Sequence, residues 1–361
     1  MTLSEYIDLP QFSVNADEKE NFLFQECRTL HEYHYSHSKE YARICDVIFP
    51  DSFEAKSLAE LPFIPVSAFK NFDLKSIPED KVYKVLTSSG TTGSSPSKIY
   101  LDTETATLQT KSLSKIIGHI VGTSRLPMMI IDSKDVLKNR ESFSARGAGI
   151  LGLSPFGKDH TYILDGNYEI DNELFNSFVD KYNGQPILIF GFTFMVWQYL
   201  NKLSTTREID FSNAILIHSG GWKKLSDMAV DNQVFKNYLK DKFGISRVYN
   251  FYGMVEQVGS VFLENSKGYL HCPNFADIII RNPVDFSVQP FGEPGLIQTI
   301  NLLPKSYPGY SLLTEDIGVC VGEDDEATGW KGKYFKILGR AKKAELRGCS
   351  DTFASKMSSV L

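Results

Sequence analysis

The chain has no apolar run long enough to cross a bilayer and no basic start leading into an apolar core. A span takes about 18 apolar residues, and a secretory leader needs that basic-then-apolar order, so the sequence predicts a cytoplasmic protein with no membrane span. Cysteine is scarce as well. The five (Cys27, Cys45, Cys272, Cys320, Cys349) are odd in number, unevenly spread and without Cys-x-x-Cys spacing, which argues against a disulfide framework and a zinc site. Basic charge is not in excess either: the net charge is -6 with both signs interspersed, so neither nucleic acid nor an anionic membrane is the expected partner. No Gly-Lys-Ser or Gly-Lys-Thr occurs, which excludes a Walker A loop.

What remains is a chain of 361 residues, 42% apolar and 23% charged, enough for a large core in two or three lobes. Its densest feature is Leu86 to Asp102. Seven hydroxyl side chains and two glycines lie between Thr87 and Lys98, bracketed by apolar runs. Glycine lets backbone N–H groups point into one concavity, Ser and Thr add donors without bulk, and Lys98 brings positive charge, a combination suited to a polyphosphate. Alternation on both sides predicts a hairpin loop between Val82–Leu86 and Lys98–Leu101.

The first eighty residues read as mainly helical. His31, His34 and His37 recur every third residue among Tyr33, Tyr35 and Tyr41 without an evident acidic partner, the pattern of a packed face and not of a metal site. The Pro-punctuated stretch Leu61–Lys70 is expected to run extended into the core. Thr103 is the expected cap of a helix through about Val121, with Leu108, Leu113, Ile116, Ile117 and Ile120 facing inward. Strands are expected at Met128–Asp132, Pro186–Phe190, Ala214–Ile217 and Val248–Phe251, with helices near 171–183, 194–204 and 225–243. Such alternation predicts an α/β fold with mostly parallel sheets, whose ligands bind outside the carboxyl ends of the strands. Gly191-Phe192-Thr193, His218-Ser219-Gly220-Gly221-Trp222 and Tyr252-Gly253-Met254-Val255-Glu256 follow those ends. Paired glycines allow a planar ring to lie on bare backbone with Tyr252 stacked opposite, and Glu256 is placed to hold Mg2+ at phosphates. From Ala276 the pattern turns to a small β-rich lobe, in which Asp316 is placed to accept two ribose hydroxyls. The last residues hold too little apolar content for another domain and read as a mobile tail.

Together these segments resemble the adenylate-forming superfamily of acyl-CoA synthetases, luciferases and nonribosomal adenylation domains. Thr87-Ser88-Ser89-Gly90-Thr91-Thr92-Gly93 with Lys98 matches its phosphate loop, Gly220-Gly221 and Tyr252-Gly253-Met254-Val255-Glu256 its adenine segments, Thr314-Glu315-Asp316 its ribose aspartate, and Gly339-Arg340 its hinge. The closer resemblance is to LuxE-type acyl-protein synthetases. It rests on Ile64–Lys70, on Phe143–Leu153 (Phe-Ser-Ala-Arg-Gly-Ala-Gly-Ile-Leu-Gly-Leu) and on Gly339–Asp351, which ends in Glu-Leu-Arg-Gly-Cys-Ser-Asp.

That resemblance implies an adenylate-forming domain over 1–338, comprising a helical region to about 80, an α/β core over about 81–275 and a β-rich lobe over about 276–338. Residues 339–361 would form a hinge and tail in place of the superfamily's larger lid. It further implies ATP and Mg2+ as cofactors, Thr87 to Gly93, Gly220, Gly221, Tyr252, Gly253, Met254, Asp316 and Arg340 as nucleotide-binding residues, and Glu256 as metal ligand. Lys98 and Lys342 are the implied catalytic cations, Lys342 substituting for the lid lysine. Cys349 is the implied acyl acceptor, with Lys342, Lys343 and Arg347 near it in sequence to favour the thiolate. The acid would be a long-chain fatty acid and the partner an acyl-CoA-reductase-like protein. Two other readings stand beside this one: a ligase passing a non-fatty acid to a small-molecule acceptor, as in surface polysaccharide assembly, and a non-catalytic nucleotide-binding scaffold. Phe192, Phe194, Met195 and Trp197 fit an acyl pocket and a packed helix equally.

Overall fold

Met128-Met129-Ile130-Ile131, Ile187-Leu188-Ile189-Phe190 and Ala214-Ile215-Leu216-Ile217 are each buried along their whole length, as strands covered on both faces must be. In the computed structural model, which describes residues 1–88, 96–137, 145–203, 208–222 and 229–341, they form the middle of a parallel sheet. Contacts divide the chain into two units: Met1–Ile116, Gly253–Phe262 and Tyr269 onward make the first, and Ile117–Tyr252 with Leu263–Gly268 the second.

The second unit carries that sheet. Its strands lie in the order Arg247–Tyr252, Ile215–Ser219, Leu188–Phe192, Leu126–Ser133, Gly157–Leu164, and every neighbouring pair is parallel. The strand Gly157–Leu164 was not expected; it sits at one end of this order and is buried mainly at Ile163 and Leu164, so it lacks a long apolar run. Gly191 and Phe192 end their strand instead of following it, and Thr193 opens the helix Thr193–Lys202. Two other helices are capped by side chains: Asp171 Oδ1 accepts from Leu174 N at the start of Asn172–Tyr182, and Asp231 Oδ1 accepts from Gln233 N at the start of Asn232–Phe243. The latter helix starts later than the sequence suggested and stops at Gly244, whose φ of +74° favours glycine.

In the first unit, antiparallel strands Ala276–Arg281, Pro294–Asn301, Ser311–Asp325 and Trp330–Arg340 pair in chain order, and Leu270–His271 adds to the last of them. The Pro-punctuated stretch contributes Ile64–Pro65, parallel to Leu312–Leu313. Phe63, Leu296 and Leu313 form a small core under Arg281, whose guanidinium lies 4.7 Å from the Phe63 ring centre and donates to Gln298 Oε1, Phe286 O and Ala59 O. Lys19 on the helix Ala16–His37 is buried and donates to Cys272 O at 3.2 Å, while Lys333 Nζ lies 2.9 Å from Asp277 Oδ2. Enclosure alone would raise the Asp277 pKa; the adjacent Lys333 and Lys19 cations hold it below the ordinary value.

Two of the three helical histidines are packing groups, while His37 is exposed and stacks on Tyr33. His31 Nδ1 pairs with Tyr41 Oη at 2.9 Å, and His34 bonds both Ser76 Oγ at 2.8 Å and Pro304 O at 3.1 Å. The helix Thr103–Val121 departs from expectation in two ways. Asp102, not Thr103, caps it: Thr105 N donates to Asp102 Oδ1 at 2.7 Å. Its buried face carries Thr105, Gln109 and Ser112 ahead of Ile116, while Leu108 and Leu113 are only half-buried. The close approach of Gly259 explains part of this, since a Cβ there would stand 2.6 Å from Gln109 Cα.

Two measurements check this reading. Asp102→Ala should lower unfolding free energy by about 1 kcal/mol in urea titrations, and Thr103→Ala by less than about 0.5 kcal/mol. Burial pushes His31 and His271 down to about 4 and His34 and His218 to about 3. The unfolded chain takes up these protons near pH 6.5 and the folded one only near 3 to 4, so this stability is complete above pH 6.5 and drains away as pH falls. Unfolding at pH 5 should therefore need less urea than at pH 7, by about 1–2 kcal/mol for each such histidine, and His34→Asn should flatten that slope.

Candidate functional site

The expected hairpin is present. Lys84–Thr87 and Lys98–Leu101 pair antiparallel with Thr87 opposite Lys98. Two further bonds close the mouth of the loop: Ser88 N donates to Ser97 O at 3.1 Å and Ser97 N donates to Ser88 Oγ at 2.8 Å. Ser89, Gly90, Thr91, Thr92 and Gly93 lie outside the described residues, as do Lys342 and Cys349. The Lys98 ammonium is 3.4 Å from Asp73 Oδ1, an oxygen that also accepts from Tyr100 Oη at 2.8 Å. The Tyr100 bond first, and Lys98 after it, hold the Asp73 carboxyl below its ordinary range. Asp73 was not anticipated; it stands well upstream of the loop, and no local pattern marks it.

Glu256 sits in a single tight turn, Val255–Gln257. Its side chain is buried, which pushes its carboxyl up, and among the described residues no cation comes within ion-pair distance of it. The turn is pinned by groups far along the chain. Tyr307 Oη donates to Glu256 O at 2.8 Å, and Gln257 Nε2 donates to Gly309 O at 2.9 Å. Gly309 must be glycine, because a Cβ would stand 2.2 Å from the Tyr307 ring. Just ahead, Gly253 passes close to Val261 and Met254 is extended and half-buried.

Asp316 and Arg340 occupy directly opposed positions on the strands Ser311–Asp325 and Trp330–Arg340. Arg340 Nε lies 3.5 Å from Asp316 Oδ1 and a terminal nitrogen 3.2 Å from Glu315 Oε2. Thr314 steadies the aspartate, accepting from Asp316 N at 3.1 Å while donating to Ile297 O at 2.8 Å.

In the second unit, parallel pairing sends Ser219-Gly220-Gly221 and Tyr252 to one carboxyl edge. Gly220 takes φ +78°, and a Cβ there would stand 2.8 Å from the Phe192 ring. At Gly221 an added Cβ would meet no described atom within 4 Å. Phe192 and Met195 are buried, whereas Trp197 joins Trp222, Phe235 and Tyr238 in an aromatic cluster. Arg146, in the segment Phe143–Leu153, lies 3.5 Å from the buried Asp132 and donates to Tyr168 Oη at 2.8 Å. A cavity of about 600 Å³ opens beside Asp135, His160, Tyr162, Asp165 and Asp171. No sequence-predicted site residue lines it, and Asp165 and Asp171 already accept backbone N–H groups of their own turns.

Residues 6–358 match the sequence profile of "Acyl-protein synthetase, LuxE". The chain belongs to that family. It is therefore a ligase, and its relatives are named as such. The long-chain-fatty-acid–luciferin-component ligase of Vibrio harveyi is 21% identical over 348 residues, 93% of this chain and 88% of that protein. The enzyme of the same name from Aliivibrio fischeri is 23% identical over 338 residues, 90% of this chain and 85% of that one. Among solved structures, a 2-hydroxyisobutyryl-CoA ligase in complex with 2-HIB-AMP and CoA superposes with a TM-score of 0.66 at 15% identity, covering 91% of this chain and 76% of that one. The fold of this LuxE-family ligase is thus the adenylate-forming one.

Its four described cysteines are all buried. Burial pushes Cys45 and Cys320 up to about 12, and Cys27 and Cys272 well above the ordinary thiol range. Native protein treated with iodoacetamide at pH 7.5 should alkylate these four at least about a hundredfold more slowly than the guanidinium-unfolded chain, as read by peptide mass spectrometry.

Proposed function

We propose that this ligase activates a carboxylic acid with ATP and then carries the acyl group on Cys349. The observation that carries the reading is the extent of the family match, which runs from residue 6 to residue 358 and so includes the hydroxyl-rich loop and Cys349 alike. The names of the two bacterial relatives support a long-chain fatty acid as substrate.

In the first step a carboxylate oxygen attacks the α-phosphorus of ATP and pyrophosphate leaves, giving acyl-AMP. Thr87 to Gly93 supply the donors around the phosphates, and Lys98 balances charge once it turns from Asp73. Gly220, Gly221, Tyr252, Gly253 and Met254 hold the adenine, and Asp316 accepts the ribose hydroxyls with Arg340 beside it. A buried carboxylate with no cation partner among the described residues fits a divalent ion, so Glu256 would hold Mg2+. When bound, that ion neutralises phosphate charge. In the second step the Cys349 thiolate attacks the acyl carbonyl, AMP departs as leaving group, and a thioester remains. Lys342 is the proposed cation at the carboxylate. An acyl-CoA-reductase-like partner would take the acyl group onward, and residues 339–361 serve as the carrying segment.

The test is intact mass after incubation with MgATP and a panel of carboxylic acids, alongside acid-dependent pyrophosphate exchange. The native protein should gain one acyl group that hydroxylamine removes, largest with long-chain acids. Cys349→Ser should gain none while retaining exchange. Loss of exchange in Cys349→Ser would overturn the division into two steps, and exchange with no gain in mass would remove Cys349 as acceptor.

A further inference from the structure

The turn at Gly220 is held from below by one side chain. Thr193 Oγ1 stands 2.5 Å from Gly220 O, 3.2 Å from Ser219 O and 2.9 Å from His218 Nδ1. A hydroxyl has one hydrogen to give, and the 2.5 Å contact takes it. His218 Nδ1 must then carry its own hydrogen and donate to Thr193 Oγ1, which leaves Nε2 as the bare ring nitrogen. Nε2 is accordingly buried with no hydrogen-bond partner among the described residues, the ring lies 4.9 Å from the Phe235 ring centre, and burial pushes its pKa down to about 3. From the other side Phe192 fills the space where any Gly220 Cβ would go, and Ser219 Oγ donates to Phe251 O at 2.9 Å. Gly220 is therefore pulled inward at its carbonyl and blocked at its Cα, while an added Cβ at Gly221 would meet no described atom within 4 Å.

We propose that Thr193 is a positioning residue for nucleotide binding: by fixing the Gly220 carbonyl it presets the Gly220-Gly221 backbone as a flat platform for the purine. The proposal rests on the reading of those glycines as adenine-contacting backbone. A platform set before binding spares the nucleotide the cost of ordering it, so the loss should appear in affinity ahead of turnover.

The experiment is calorimetric titration of the full chain with ATP, together with pyrophosphate exchange. Thr193→Val keeps the shape and removes the hydroxyl. Its Kd and KM for ATP should rise about tenfold, while exchange at saturating ATP falls less than about threefold. Thr193→Ser should return the Kd to within about twofold of native. A variant that melts at lower temperature but keeps the native Kd would make Thr193 merely structural and overturn the proposal. Should Thr193→Val fail to fold, Thr193→Ala is titrated in its place, with the same rise in Kd expected and a native Kd again overturning the proposal. Gly221→Leu separates the two readings, because it fills the open face without a described neighbour to displace. Lost ATP binding in Gly221→Leu with native binding in Thr193→Val overturns the proposal alone. Native binding in Gly221→Leu overturns the adenine reading and the proposal with it.

Discussion

Parallel pairing is the constraint on which the second unit depends. A parallel strand cannot turn straight back to its neighbour; each connection must cross the sheet face and start again from the same end. Every strand therefore delivers its carboxyl end to one edge, and backbone that has just left the ladder collects there. Ser219-Gly220-Gly221 and Tyr252 reach that edge for this reason. The sheet imposes a second condition, since its central strands are buried on both faces and hold their buried polar side chains, Asp132, Ser133 and His218, near the carboxyl ends. Packing thus leaves the strand ends as the place for polar groups in this unit.

The first unit buries several charged and polar groups by pairing them across the chain. Arg281 satisfies three acceptors while lying over a phenylalanine ring, His34 uses both ring nitrogens, and Asp277 sits beside Lys333 and near Lys19. Each arrangement ties segments distant in sequence and costs dearly if one partner is removed. The Glu256 turn follows the same rule at its backbone, through Tyr307 and Gln257, while its carboxylate stays outside any ion pair among the described residues.

Much of this was legible in the sequence where one interaction dominates. Buried parallel strands must be apolar from end to end, so the runs at Met128, Leu188 and Ile215 announced themselves. The hydroxyl-rich loop between two alternating segments likewise declared a hairpin. The strand Gly157–Leu164 stayed hidden because its first half is largely exposed and polar. The inner face of the helix Thr103–Val121 was misjudged because hydropathy points to its leucines, whereas the close passage of Gly259 places Gln109 inside. Asp102 and Thr103 are both good caps, and only geometry chooses between neighbours. Asp73, Tyr307 and Thr193 act through contacts made by folding across long stretches of chain, where no local spacing records them. Thr193 did lie within a segment marked at a strand end, but its partner Gly220 is 27 residues away.

The rung between Asp316 and Arg340 fixes more than two side chains. It anchors the last described strand at the residue proposed to meet the ribose, and Cys349 follows Arg340 by nine residues. Nine residues reach at most about 30 Å, whatever path they take. On the proposed reading, acyl donor and thiol are then joined through one chain, and the second half-reaction is unimolecular. Its rate would be set by the length of the tether, and dilution of the enzyme would leave it unchanged.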